Sequence, residues 1–239
     1  MTPTGEDEPE QHGHVHRDVS GGWLRPTIFG AMDGLVTNTS LIAGVGGGGG
    51  DRQALVLTGL AGLVAGACSM AIGEWVSVRS QNQMVQAEVQ KEAVELERSP
   101  DAETAELAAI FRSHGMEPAT ARSAAAEIAR DPQVALRFHA REELGIDPQE
   151  VPSPWVAAGS SFASFSVGAI IPLLPLLLGV PGLLWPLLLA SVAAFAGGAL
   201  VTRVTGRAWW RGGVQQLLLV LAATGITHLV GLAIGAAVT

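Results

Sequence analysis

The stretch Gly59-Leu60-Ala61-Gly62-Leu63-Val64-Ala65-Gly66-Ala67-Cys68-Ser69-Met70-Ala71-Ile72-Gly73-Glu74-Trp75-Val76 decides the fold of this 239-residue chain. It carries no charge before Glu74, and it closes an apolar run from Ala54 to Val76. That run meets the length of about 20 mostly apolar residues that a membrane helix needs. From Gln81 to Glu150 the sequence then turns polar while keeping helical periodicity.

Four more windows of the same kind flank it: Pro26 to Val45, Trp155 to Leu178, Leu183 to Val201 and Val214 to Val238. With 48% apolar residues, 15% charged ones and 30 glycines, the composition is that of a membrane protein rather than a soluble globule. Gly46 to Gly50 cannot hold a helix cheaply and close the first span. Gly179-Val180-Pro181-Gly182 separates the third from the fourth. The expected fold is an all-α membrane protein with five transmembrane helices and a helical insert between helices two and three. Its divisions are a disordered His- and acid-rich tail over 1–24, spans one and two over 25–80, the acidic insert over 81–152, and spans three to five over 153–239.

The tail holds Glu6, Asp7, Glu8 and Glu10 with His12, His14 and His16, and lacks the basic n-region of a signal peptide. The single Cys68 permits no intramolecular disulfide and reads as a small buried thiol. Basic residues set the orientation. Arg17 and Arg25 precede the first span, Arg79 and Lys91 follow the second, and Arg203, Arg207 and Arg211 lie between the fourth and fifth, whereas the opposite loops hold only Arg52. The N-terminus, the insert and the last interhelical loop are therefore expected in the cytoplasm and the C-terminus outside.

An aspartate at the centre of a membrane helix costs about 2.5 to 3.5 kcal/mol, so Asp33 asks for a use. Asp33, Thr37 and Ser40 share one helical stripe at i, i+4 and i+7. On the second span Gly62, Gly66, Met70 and Glu74 repeat every four residues. Glycines at such spacing let helices approach closely, and Met70 alone would read as a gap-filler. Two carboxylates and a thioether on adjacent spans instead suit a path for a divalent ion: oxygen donors favour Mn²⁺ and Fe²⁺, and the sulfur adds softness. Pro172 and Pro175 should kink the third span or open it locally. His228 reads as an interhelical hydrogen-bonding contact.

The insert carries fourteen Asp and Glu against seven Lys and Arg, nearly the whole of the chain's net charge of −8. That surplus disfavours nucleic acid and anionic lipid and concentrates cations. Glu88, Glu92 and Glu95 share one stripe, Glu103 and Glu106 follow a break at Ser99-Pro100, and Glu142 and Glu143 precede Gly145. Solvated charge accounts for any one of these acids; as a set, carboxylates on facing helices are how helical bundles hold iron or manganese. Like charges one turn apart also invite a counter-ion. Val89, Ala93, Leu96, Leu107, Ile110 and Phe111 supply only modest apolar faces, which a homodimer would bury most economically.

Ile28-Phe29-Gly30-Ala31-Met32-Asp33-Gly34-Leu35-Val36-Thr37, the segment from Gly59 to Val78, Glu142-Glu143-Leu144-Gly145, and Gly168-Ala169-Ile170-Ile171-Pro172-Leu173-Leu174-Pro175 resemble the vacuolar iron transporter family over residues 25 to 238. The resemblance implies five spans, a homodimer, and export of Fe²⁺ or Mn²⁺ from the cytosol in exchange for protons. It implies that Asp33 and Met70 lie on the translocation path and Glu74 near its cytoplasmic mouth. By the same resemblance Glu92, Glu95, Glu103, Glu106 and Glu143 match the glutamates of cytoplasmic metal-binding helices. Where plant relatives carry a Met-Glu pair just upstream of Glu143, this chain has His139-Ala140, leaving His139 or Glu142 as substitutes. Gly62 stands where some eukaryotic members have an acid.

No enzymatic activity is expected, since the Glu-x-x-His pairs of a di-iron centre are absent and no ferritin-like domain precedes the first span. No prosthetic cofactor is implied, and the donor set admits Co²⁺ and Zn²⁺ beside Fe²⁺ and Mn²⁺. The partners expected are metal ions, protons, membrane lipid and a second copy, in a bacterial inner membrane. A membrane-anchored metal sensor or store without transport is the alternative.

Overall fold

A computed structural model describes residues 24–148, 151–204 and 206–238. These form eight α-helices and no strand: α1 (Leu24–Gly47), α2 (Arg52–Arg98), α3 (Pro100–Ser113), α4 (Pro118–Ile128), α5 (Pro132–Glu143), α6 (Pro154–Leu177), α7 (Leu184–Val204) and α8 (Trp209–Val238). Five of them, α1, α2, α6, α7 and α8, are long and apolar enough to cross a membrane. The expected all-α membrane fold with five spans is the one observed. The histidines of the tail lie outside the described residues.

The chain breaks where glycine and proline demand it. Gly49 and Gly179 adopt φ of 85° and 90° just past α1 and α6, a conformation that favours glycine. Asp51 then caps α2, its side chain accepting from the Ala54 amide at 2.8 Å. The apolar run ends at Val76, but α2 does not. With no glycine or proline between Glu74 and Ser99, the helix continues for 47 residues. At 1.5 Å per residue that is about 70 Å, more than twice the roughly 30 Å hydrocarbon thickness. One helix thus belongs to both the membrane and the polar insert.

α1 is the centre of the membrane bundle. Gly34 on α1 and Gly168 on α6 face the partner helix so closely that a methyl group on either would collide with backbone, of Phe165 and of Ala31 respectively. Asn38 seals the same seam by donating from Nδ2 to the Ala169 carbonyl at 2.6 Å. Gly44 and Gly231 make a like approach between α1 and α8. Around these seams lie buried groups on α1, α7 and α8 (Leu35, Ala190, Ala194, Val220) and on α1, α2 and α6 (Ile42, Leu55, Leu173, Leu176). The outer faces, such as Leu57, Val64 and Ile72 on α2, are apolar and exposed, as lipid contact requires.

α6 runs from Pro154 to Leu177 with Pro172 and Pro175 inside it and buried, and just past its end the Val180 amide donates to the Pro175 carbonyl at 3.0 Å. One local expectation is corrected. Cys68 is exposed, since it sits on the side of α2 opposite the face that Gly66 presses on Phe165.

Outside the membrane, the end of α2 packs against α3 and α5, and α4 packs on those two. α3, α4 and α5 all begin with proline in the first turn; Glu117 and Asp131 cap α4 and α5. Leu107, Ala108 and Ala125 form the small core, flanked by Phe111 and Ile128. Phe111 also meets Phe138 of α5 edge-on at 6.4 Å.

Candidate metal centre

Three helices of the polar unit converge on one point. α2 brings Glu92 near its end, α3 brings Glu103 in its first turn, and α5 brings His139 and Glu143 one turn apart. A ligand atom from each of the four lies within 4.8 Å of all the others. His139 Nδ1 is 2.7 Å from Glu143 Oε1, 3.1 Å from Glu92 Oε1 and 3.8 Å from Glu103 Oε2. His139 is 1% exposed and Glu92 6%.

The electrostatics are those of a site short of positive charge. Burial raises the Glu92 carboxyl above its ordinary range, and the neighbouring Glu143 raises it further, against the pull of His139. Glu103 is raised by burial and then by Glu106. Glu92 Oε1 is buried and makes no well-aligned hydrogen bond, its ion-pair contact being His139 Nδ1 at 3.1 Å. Three carboxylates and one imidazole, all able to donate electron pairs to a common point, form a donor set suited to Fe²⁺, Mn²⁺ or Zn²⁺.

The other acids named from the sequence stand around this centre. Glu95 and Glu106 are exposed, yet near enough to raise Glu92 and Glu103. Glu88 is exposed and bonded to Lys91 at 2.6 Å. Glu142 faces His114 at 3.7 Å.

In the membrane, Asp33 and Met70 line one cavity of about 560 Å³, with Met32, Thr202, Gln215 and Gln216. Thr37 Oγ1 donates to Asp33 Oδ1 at 3.1 Å. Ser40, on the same stripe by spacing, is buried and does not line the cavity. Glu74, half-buried one turn beyond Met70, does not line it either. The Gly62 and Gly66 half of the four-residue repeat is a packing seam, since a methyl there would meet Leu41 and Phe165. His228 is a helix contact, its Nδ1 3.0 Å from the Ala43 carbonyl. Two groups escaped the sequence reading. Gln215 and Gln216 stand out only as amides in an apolar helix, and His139 entered only as a substitute, although its spacing of four from Glu143 puts both on one face.

Residues 24–232 match the profile of the VIT family. The chain is 40% identical over 169 residues to a vacuolar iron transporter of Acanthamoeba castellanii, covering 70% of this chain and 60% of that protein. It is 33% identical over 180 residues to vacuolar iron transporter 1 of Oryza sativa subsp. japonica, covering 72% and 70%. It is 36% identical over 152 residues to vacuolar iron transporter homolog 2 of Arabidopsis thaliana, covering 64% and 52%. The chain thus matches between about half and 70% of the length of these relatives. With a match that begins in the first span and ends in the last, the chain belongs to the VIT family.

Proposed function

We propose that this protein moves a divalent metal ion, Fe²⁺ or Mn²⁺, out of the cytosol, and that the cluster of Glu92, Glu103, His139 and Glu143 collects the ion first. The observation that carries the proposal is the convergence of four donor groups from three helices within 4.8 Å, with Glu92 and His139 buried. Relatives named vacuolar iron transporters supply the metal class.

The exposed acids Glu88, Glu95, Glu106 and Glu142 raise the local cation concentration around the cluster. From Glu92 the ion travels along α2, past Glu74, to the cavity of Asp33 and Met70, about 33 Å away at 1.5 Å per residue. There a carboxylate and a thioether replace part of its hydration shell, while Thr37 orients the carboxylate. Protonation of Asp33 from the far side weakens that hold and releases the ion, which makes the cycle an exchange of metal for protons. The basic residues beside the spans favour a cytoplasmic position for the cluster, and in this reading two copies of the chain share the polar unit. Nothing in this cycle calls for catalysis.

Purified protein in liposomes, with a metal-sensitive dye inside, tests the proposal. Fe²⁺ or Mn²⁺ influx should follow an imposed pH gradient and fall to background in Asp33→Ala. Metal bound stoichiometrically with no influx would overturn transport and leave a membrane-anchored sensor.

A further inference from the structure

From Val151 to Thr239 the sequence contains no Asp, Glu or Lys, and its only charged side chains are Arg203, Arg207 and Arg211. All three are exposed. Among the described residues none of them takes part in an ion pair. They stand at the junction of α7 and α8, beside Trp209 and Trp210. Trp209 is held against α7, its ring meeting Phe195 edge-on at 6.1 Å. Trp210 instead lies beneath the Arg211 guanidinium, 5.3 Å from ring centre to charge, a geometry that fixes the cation.

Below this pair runs a groove of about 560 Å³, lined by Trp210, Arg211 and then Val214, Gln215, Leu218, Leu219 and Ala222 of α8. From Trp210 to Ala222 the helix rises about 18 Å, close to the roughly 15 Å depth of one leaflet's hydrocarbon. The groove therefore has a cationic mouth at the membrane surface and an apolar floor one leaflet deep.

We propose that this groove binds an anionic phospholipid. Its phosphate and acidic headgroup sit on Arg211, with Arg207 and Arg203 adding to the field, and one acyl chain lies along Val214, Leu218 and Ala222. The C-terminal third of the chain thus attracts the anionic lipid that the acidic insert repels. Basic sites at the ends of membrane helices select such headgroups by charge.

The full chain in neutral detergent is titrated with dioleoyl phosphatidylglycerol and, separately, dioleoyl phosphatidylcholine, and bound lipid is counted by native mass spectrometry. Phosphatidylglycerol should be retained over phosphatidylcholine. Arg211→Gln should weaken its retention about fivefold, the worth of one basic residue at an anionic surface, and Arg211→Lys should keep most of it. Ala222→Trp, which fills the floor and leaves the charge, should also lose it. Equal retention of the two lipids, or unchanged retention by both Arg211→Gln and Ala222→Trp, would overturn the proposal. Displacement of phosphatidylglycerol by millimolar inorganic phosphate would also overturn it, by showing an anion site with no use for the acyl chain. The wild-type comparison of the two lipids and the phosphate competition decide the matter even if a variant does not fold.

Discussion

Glu92 is 6% exposed and faces Glu103, His139 and Glu143, so its carboxyl holds a proton more tightly than a free one does, and a metal ion bound there competes with that proton. Both Glu92 and Glu103 have carboxyls raised above 4.5. A raised folded-state value contributes stability fully below the unfolded value and loses it as pH rises through the folded one. The metal-free polar unit should therefore become less stable as pH rises from about 4.5 through the raised values, and thermal unfolding without metal checks it. Metal affinity should run the opposite way, tightening with rising pH as protons leave, which Mn²⁺ equilibrium dialysis between about pH 5 and about pH 7 measures. Glu92→Gln should weaken Mn²⁺ binding by more than the roughly 10-fold that losing an outer-shell partner costs. Glu88→Gln, which removes an exposed acid bonded to Lys91, should leave binding within about twofold, since exposed pairs contribute little. The sequence showed Glu88, Glu92 and Glu95 sharing a stripe, but spacing alone does not say which member of a stripe turns inward. Packing of α2 against α3 and α5 decides that, and the register of α5 that brings His139 into the site is a tertiary outcome.

At the scale of elements, the breaks were legible because they are chemical: Gly48 to Gly50, Ser99, Gly145 and Gly179 to Gly182 all fall between helices, although α1 runs on through Gly46 and Gly47. The continuity of α2 was harder to read, because a fall in hydropathy after Val76 marks a change of solvent and not of backbone. Helix seams are equally hidden, since a glycine at a crossing and one facing lipid look alike in sequence. They separate under substitution. Gly168→Val drives a side chain into the Ala31 carbonyl and should destabilise the bundle by about 3 kcal/mol, the upper end for overpacking. Gly225→Ala on α8, with open space around it, should be neutral or stabilising by up to about 1 kcal/mol. Unfolding of the two variants in one detergent, side by side, checks the contrast.

Across the whole molecule, α2 joins the two proposed metal sites: Met70 lines the membrane cavity with Asp33, and Glu92 belongs to the cluster outside it. The proposed division of labour, a collecting site feeding a passage, gives the two ends of that helix different kinetic signatures. Removing the passage should stop flux, whereas weakening the collector should raise the concentration of metal needed while leaving the saturated rate unchanged. The most direct measurement is the initial rate of Fe²⁺ influx into proteoliposomes as a function of Fe²⁺ concentration, for the wild type and for the double variant Glu92→Gln, Glu103→Gln. A raised half-saturation concentration with the maximal rate preserved is the predicted result; a lowered maximal rate at unchanged half-saturation, or a curve identical to the wild type's, would contradict the account.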